Sequence, residues 1–171
     1  IDEMAKRNSV RVNRPECSAF VGLGMVSGKP VALAKPQTFM NLSGPSIKKL
    51  LEKYNLTPAE LILVYDEMDL PWTAVRIKQS GSAAGHNGVK SVIGSLGSGE
   101  FTRVRLGIDP GDRAKRGPSH VLGAFRPSQA KDLEELLSFT AESVESIVAE
   151  GVSKAMAKYN RRAQGSKEEE E

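Results

Sequence analysis

The sequence is short of cysteine, histidine and long apolar runs, and each shortage excludes a class of protein. Its 171 residues include one cysteine, Cys17, and two histidines, His86 and His120. A single cysteine cannot form an internal disulfide, and so few soft ligands predict that no metal is bound. No apolar stretch approaches the roughly 20 residues that span a bilayer. We therefore expect a soluble protein of a reducing compartment that contacts no membrane.

Motifs for the common cofactors are also missing. The "GLG" at Gly22 lacks the rest of a dinucleotide fingerprint, and neither a Walker-type "GK[ST]" nor a nucleophile elbow "GxSxG" occurs. These absences leave NAD, ATP and a serine nucleophile without support.

The charges are nearly balanced in number but not in position. Lys and Arg total 24 and Asp and Glu total 21, yet the final "KEEEE" holds four of the acids. The rest of the chain is therefore more basic than the net charge of +3 suggests. A basic surface attracts polyanions such as nucleic acid, although most charged side chains only solvate a face. We expect residues 1–163 to form one domain and residues 164–171 to form a disordered acidic tail.

The order of the apolar patterns predicts strands that alternate with helices. Two apolar stretches around "SGKP" indicate a hairpin, and the run from Leu61 to Tyr65 indicates a strand, buried on both faces, that ends at Asp66. The segments "TAVRIKQ" and "RVRLGI" alternate apolar and basic residues as half-buried strands do, which places their cations on one face. Helical spacing begins near Pro45, occurs again before a stop at Gly97, and returns as a long stripe from Leu133 to Ala155. This alternation predicts a single α/β domain with one sheet and helices on its faces.

Polar side chains collect in three loops that follow predicted strands, where ligands gather in α/β sheets. The loops are "KPQTFMNLSG", "YDEMDLP" and "GSAAGHNG", and they offer Asn41, then Asp66, Glu67 and Asp69, then His86 and Asn87. A carboxylate, an imidazole and carboxamides, with no evident nucleophile, suit the activation of water and the stabilisation of an oxyanion. The glycines between Gly81 and Gly85 let a ligand or another backbone approach closely.

Each of these residues also has a purely structural interpretation. Asn41 is a candidate cap or turn residue for the helix that follows it, and Asp66 is a candidate turn former. Glu67 and Asp69 have the pattern of solvated or turn-stabilising acids. His86, at a helix start, has its own backbone as a possible partner. These alternatives stay open on the residues alone.

Five motifs, taken together and in this order, resemble bacterial peptidyl-tRNA hydrolase. They are "KPQTFMNLSG", "YDEMDLP", "GSAAGHNGVKS", "FTRVRLGIDP" and "HVLGAFRP", and the resemblance runs from about Ala19 to the last helix. It implies a single α/β domain with a twisted mixed sheet and helices packed on both faces. It also implies an enzyme of translation that cleaves the ester between peptide and tRNA, so that the tRNA is recycled. By the same resemblance we expect a cytoplasmic monomer that needs no cofactor.

The resemblance assigns catalytic roles to two of the loops. It implies that Asn41 positions the catalytic water and substrate, and that Met40 beside it lines the peptide groove. It implies that Asp66 orients the catalytic histidine, fixing its tautomer and stabilising the imidazolium. In this family that histidine lies in an N-terminal segment that also supplies the first strand, and both precede Ile1.

Further roles follow from the same resemblance. His86 and Asn87 match a pair at the gate of the peptide groove, where Asn87 bonds the substrate backbone or the water. Lys78 and Arg105 match a basic pair that clamps the 5′-phosphate of tRNA, a contact that positions the nucleic acid without reading its bases.

Three hypotheses for function follow. We favour hydrolysis of peptidyl-tRNA by a monomer, with water activated by a histidine before Ile1. Because "IDEMAKRNSV" reads as a helix with no cap before it, we expect the chain to be a piece of a longer protein whose first strand it lacks. The second hypothesis is a catalytically silent RNA-binding module. The third is a partner docked on the C-terminal helix at "KAMAKYNRR".

Overall fold

The computed structural model describes residues 1–109, 111 and 117–160. The tail predicted at residues 164–171, like residues 161–163, lies outside this range. The strands are β1 (Arg14–Glu16), β2 (Ala19–Val26), β3 (Lys29–Pro36), β4 (Ile62–Pro71), β5 (Val75–Lys78) and β6 (Thr102–Asp109). The helices are α1 (Asp2–Arg7), α2 (Ser43–Lys53), α3 (Asn87–Leu96), α4 (Pro118–Val121), α5 (Ala130–Glu150) and α6 (Val152–Tyr159). None of these helices is long and apolar enough to cross a membrane.

The described strands form two sheets, where one was expected. Strands β1, β2 and β3 make an antiparallel sheet in that order, and the second sheet has the order β4-β6-β5. In the second sheet β4 is parallel to β6 and β5 is antiparallel to it, so the predicted mixed sheet is confirmed. The prediction of a single sheet was wrong, because β2 and β3 pair with each other along their whole length and not with β4.

The hairpin predicted at "SGKP" is confirmed. Ser27 and Gly28 connect β2 to β3 with φ angles of 50° and 76°. Two consecutive positive φ values are typical of the two-residue turns whose twist matches that of the flanking strands.

Strand β4 differs from its prediction in both length and burial. It runs to Pro71, past the expected end at Tyr65, so that Asp66 lies inside the strand and opposite Leu106 of β6. Most of its side chains are half-buried, because β4 is the outer strand in the order β4-β6-β5. At Gly107 an added Cβ would overlap the Pro71 carbonyl oxygen, so glycine lets the end of β4 pass close to β6.

Helices cover both faces of the β4-β6-β5 sheet, as predicted. One cluster packs α5 and α6 against the face that carries Val75, Ile77 and Val104. The other packs α2 and α3 around buried Phe101, against Leu63 and Tyr65 of β4. Since alternate β4 residues enter different clusters, with Ile62 and Val64 in the first, the sheet separates two cores.

The predicted helix limits are accurate to within a few residues, except at one break. Helix α2 begins at Ser43, two residues before Pro45. Helix α3 ends at Gly97, whose φ of 67° is the left-handed conformation that glycine adopts easily. The long C-terminal stripe is two helices, because Gly151, with φ of 92°, interrupts it between α5 and α6.

The outer edge of β5 is paired with a side chain. The Asn160 carboxamide accepts from the Ile77 amide at 2.7 Å and donates to the Ile77 carbonyl at 3.1 Å. The residue that follows α6 thus takes the place of a neighbouring strand at one position, next to Lys78.

Candidate active site

The N-terminal parts of α2 and α3 pack closely against each other at the site. The Gly44 amide of α2 donates to the Ser91 hydroxyl of α3 at 3.0 Å. An added Cβ at Gly44 would overlap the carbonyl oxygen of Ser91, and one at Gly88 would overlap the Met40 sulfur. Glycines at these two positions therefore allow the "FMNLSG" and "GHNG" motifs to lie against each other.

The first of these motifs forms a single 3₁₀ turn, Met40–Leu42, before α2. Met40 lies over Gly88 with 52% of its surface exposed, and Phe39 is 81% exposed. Asn41 is exposed, and its side chain has no hydrogen-bond partner among the described residues. The interpretation of Asn41 as a helix cap is wrong, because Leu42 precedes α2 and no side chain caps it. The Asn41 amide is thus presented to solvent beside two exposed apolar side chains.

Histidine 86 is held from three sides. It caps α3, and its Nδ1 accepts from the Val89 amide at 3.2 Å, so it does bond its own backbone. Its Nε2 lies 3.8 Å from Oδ1 of Asp66, and its ring meets the Tyr65 ring edge-on with centroids 4.8 Å apart. Asn87 follows as the first residue of α3, with its side chain exposed.

This arrangement fixes the tautomer of His86. Because Nδ1 accepts a backbone N–H, it carries no proton, and the proton of the neutral ring is on Nε2, facing Asp66. Neither ring nitrogen of His86 then has a lone pair directed at a substrate. The imidazole is therefore built to be held in place, rather than to take a proton from water.

The electrostatic partner of this imidazole is a half-buried carboxylate. The neighbouring His86 imidazole lowers the pKa of Asp66 from its usual 3.8, and this outweighs the burial, which raises it. Asp66 is accordingly ionised at neutral pH. By strand alternation Asp66 shares a face with Val64, yet its Oδ1 comes within 3.8 Å of His86 at the start of α3.

The cations of β5 and β6 share one face, as predicted. Arg76 is directly opposite Arg105, and Lys78 is opposite Arg103. Lys78 is exposed, and together with Arg105 it lines a small cavity of about 50 Å³.

Arg105, unlike Lys78, is paired with a buried carboxylate. Its Nε and Nη2 donate to Oε2 of Glu67 at 3.0 and 2.9 Å. Glu67 is only 4% exposed, so its interpretation as a solvated acid is wrong. Its other oxygen, Oε1, accepts from the backbone amide of Asp69 at 3.3 Å, as a turn-stabilising acid does. The pair forms because Glu67 points to the same face of the sheet as Arg105, a placement that follows from strand register rather than from sequence spacing.

Sequence reasoning also overlooked three residues around the site. Tyr65 contacts the His86 ring, Ser91 bonds the start of α2, and Arg103 bonds the loop before α3. All three lie within the motifs quoted above, and Arg103 is also one of the cations in the alternating "RVRLGI" pattern. Among the residues that the structure describes, no group of His, Cys, Asp and Glu is placed to hold a metal ion.

An α/β domain that gathers a carboxylate, an oriented imidazole and exposed carboxamides beside exposed apolar side chains has the groups that a hydrolase needs. The family model for peptidyl-tRNA hydrolase matches residues 1–169. The chain belongs to the peptidyl-tRNA hydrolase family, as the five motifs predict.

Individual relatives agree with this membership. A peptidyl-tRNA hydrolase of Solibacter usitatus is 51% identical over 170 residues, which are 99% of this chain and 87% of that protein. One of Koribacter versatilis is 40% identical over 95% of this chain and 81% of its own length. The crystal structure of peptidyl-tRNA hydrolase from Acinetobacter baumannii superposes with a TM-score of 0.84 at 28% identity, covering 94% of this chain and 82% of that one. These relatives favour an enzyme over a catalytically silent RNA-binding module.

Proposed function

We propose that the protein hydrolyses the ester bond that joins a peptide to tRNA, releasing the peptide acid and a tRNA with a free terminal hydroxyl. The observation that carries this is the Asp66–His86 pair at the start of α3, which packs through Gly88 against Met40 in the turn that exposes Asn41, within a chain of this family. Relatives named for this activity support it.

The site residues divide the reaction among them. Water adds to the ester carbonyl carbon, loses a proton to a base, and the bond to the tRNA oxygen breaks as that oxygen is protonated. Asn41 and Asn87 have the donors and acceptors to hold the water and the peptide backbone. Met40 supplies an apolar wall for the peptide. Asp66 orients the imidazole that receives the proton and stabilises it when it is charged.

The tautomer of His86 bears on the identity of the base. Both of its ring nitrogens are engaged, by the Val89 amide and by Asp66. His86 is therefore assigned to the gate of the peptide groove, with Asn87 beside it. The base is assigned, by the family resemblance, to a histidine N-terminal to Ile1 that Asp66 also orients.

A direct assay tests this function. The full-length protein, with the residues that precede Ile1, is mixed with a tRNA that carries a short N-blocked peptide, labelled on the peptide, and release of the label is followed against buffer alone. We expect release well above spontaneous hydrolysis, and the same rate after exhaustive treatment with EDTA, because the proposal includes no cofactor. Binding of the tRNA with no release above buffer would instead show a binding module.

The proposal extends to where and with what the protein works. Peptidyl-tRNA is its partner in the cytoplasm, and it acts as a monomer. Lys78 and Arg105 bind a phosphate of the tRNA, since both line the same cavity and Lys78 is exposed. Arg105 binds through its remaining donors while Glu67 holds it in place.

Replacing Lys78 with glutamine is expected to weaken tRNA binding and raise KM while leaving kcat nearly unchanged. One phosphate contact contributes about 0.7–0.9 to the slope of log affinity against log salt concentration, so the slope should fall by that amount. Titrating tRNA at several salt concentrations measures it, with Lys131→Gln on the exposed face of α5 as the control. An unaltered slope for Lys78→Gln would place its charge away from the nucleic acid.

A further inference from the structure

The segment that carries His86 and Asn87 leaves the sheet and returns to it at neighbouring points. It departs after β5, passes through the glycine-rich loop and α3, and re-enters at β6. Its two ends, near Gly81 and near Gly99, come so close that an added Cβ at Gly99 would lie 2.7 Å from the Gly81 carbonyl oxygen. The close contact between these two ends therefore fixes the position of the first residue of α3.

One side chain bonds both ends of the segment. The Arg103 guanidinium donates from Nη1 to the Ser82 carbonyl and from Nη2 to the Gly81 carbonyl, on the departing side. The same Nη2 donates to the Gly99 carbonyl on the returning side at 3.3 Å. The guanidinium carbon also lies 4.7 Å from the centre of the Phe101 ring.

The setting of Arg103 is unusual for an arginine. It is only 2% exposed, and its Nε has no hydrogen-bond partner. Within the described ranges no carboxylate forms an ion pair with it, in contrast to Arg105 with Glu67 two residues away. Burying a guanidinium without a counter-charge is costly, so the gain lies in the three carbonyl oxygens that it holds.

We propose that Arg103 is a positioning residue that fixes the loop before α3, and through it His86 and Asn87, by tying both ends of the 79–101 segment to the centre of the sheet. The proposal rests on the proposed function for its effect on catalysis. Only a planar fork with several donors bonds carbonyls in two chain segments at once, and a lysine ammonium on a flexible stem does not reproduce that geometry.

The Arg103 guanidinium lies beside both parts of the site, the cavity lined by Lys78 and Arg105 and the loop before α3. Arg103 and Arg105 are on the same face of β6, and both line the cavity that also contains Lys78, Gly81 and Ser82. From the clasped carbonyl of Ser82 the chain runs to the turn in which the His86 amide donates to Ala83. Loss of the Arg103 hydrogen bonds is thus expected to move His86 and Asn87. Lys78 and Arg105 keep their places on β5 and β6.

The test compares Arg103→Lys with Arg11→Lys, the same exchange at an exposed position. We expect Arg103→Lys to lower kcat by about 10- to 100-fold, because displacing a site group by about 1 Å has effects of this size. KM and the salt dependence should stay within about twofold. Hydrogen exchange of the backbone, followed by mass spectrometry, should become at least tenfold faster in residues 81–90 and stay unchanged in α5.

A second variant addresses the case in which Arg103→Lys does not fold. Gly99→Ala keeps the guanidinium but forces its methyl group against the Gly81 carbonyl, and we expect the same local acceleration of exchange. Unchanged exchange at residues 81–90 in both variants would overturn the proposal. So would equal acceleration in α5, which marks a general loss of stability, or a changed salt slope with unchanged kcat, which marks a phosphate ligand. If the wild-type protein releases no peptide, the proposed function fails, and the exchange data still decide the role of Arg103.

Discussion

Replacing Asp66 with asparagine is expected to lower kcat by about 10²- to 10⁴-fold with little change in KM, as in other hydrolases whose imidazole loses its carboxylate. Asparagine has almost the same shape as aspartate, but it carries no negative charge. It therefore accepts a hydrogen bond from an imidazole N–H more weakly. The catalytic imidazole, from the histidine before Ile1, then loses the carboxylate that orients it and the partner of its charged form. Steady-state release of peptide from peptidyl-tRNA, with kcat and KM determined separately, measures the effect.

The control for this prediction removes a carboxylate elsewhere. Glu134→Gln, on an exposed position of α5, should leave both constants within about twofold of wild type. A rate for Asp66→Asn as high as that of the control would exclude Asp66 from the reaction.

The pKa of Asp66 gives this pair a defined pH dependence. Since the folded-state pKa is below the usual 3.8, the pair's contribution to stability is complete above about that pH and is lost as pH falls through the lower folded value. Above about pH 5, therefore, no change in rate arises from protonation of Asp66.

Replacing Gly44 with valine is expected to destabilise the protein by about 3 kcal/mol, because its side chain would overlap the Ser91 backbone in a close-packed contact. For a protein of this size that lowers Tm by roughly 6–12 °C. Activity measured below the new Tm should fall as well, because separating α2 from α3 moves Met40 and Asn41 away from His86. Thermal unfolding and peptide release on the same preparation measure both effects.

Gly94 of α3 provides a matched control, for which the expected change in stability has the opposite sign. It is in the same helix pair, but an added Cβ there would meet nothing within 4 Å. Gly94→Ala should therefore stabilise the protein by about 0.5–1 kcal/mol through helix propensity, with activity retained. If Gly44→Val unfolds at the wild-type temperature, the two helix starts do not depend on their close approach.

Much of the fold was predictable because it follows from local patterns. The hairpin at Ser27 and Gly28, the end of α3 at Gly97 and the alternating strands β5 and β6 each depend on residues close together in sequence. The extent of β4 and the split into two sheets were not predictable, since they depend on which strands pair. The break at Gly151 was overlooked because the apolar stripe continues across it.

For the site, the residues were predictable but their partners were not. Motifs name Asn41, Asp66 and His86 by their chemistry, and the structure adds which atoms face one another. Burial of Glu67 against Arg105, and of Arg103 against carbonyls, depends on strand register between segments some 20 to 40 residues apart. A charged residue in a strand pattern is normally interpreted as solvent-facing. Sequence alone therefore predicts exposed side chains for Glu67 and Arg103, and both are buried.

The carboxamide of Asn160 has a consequence for handling the protein. By occupying the donor and acceptor of Ile77, it shields an edge strand at which another chain could otherwise add. A version cut before this asparagine would expose that edge and invite self-association through added strands. Affinity tags and shortened forms are therefore best designed to keep residue 160, even though it lies far along the chain from the groove.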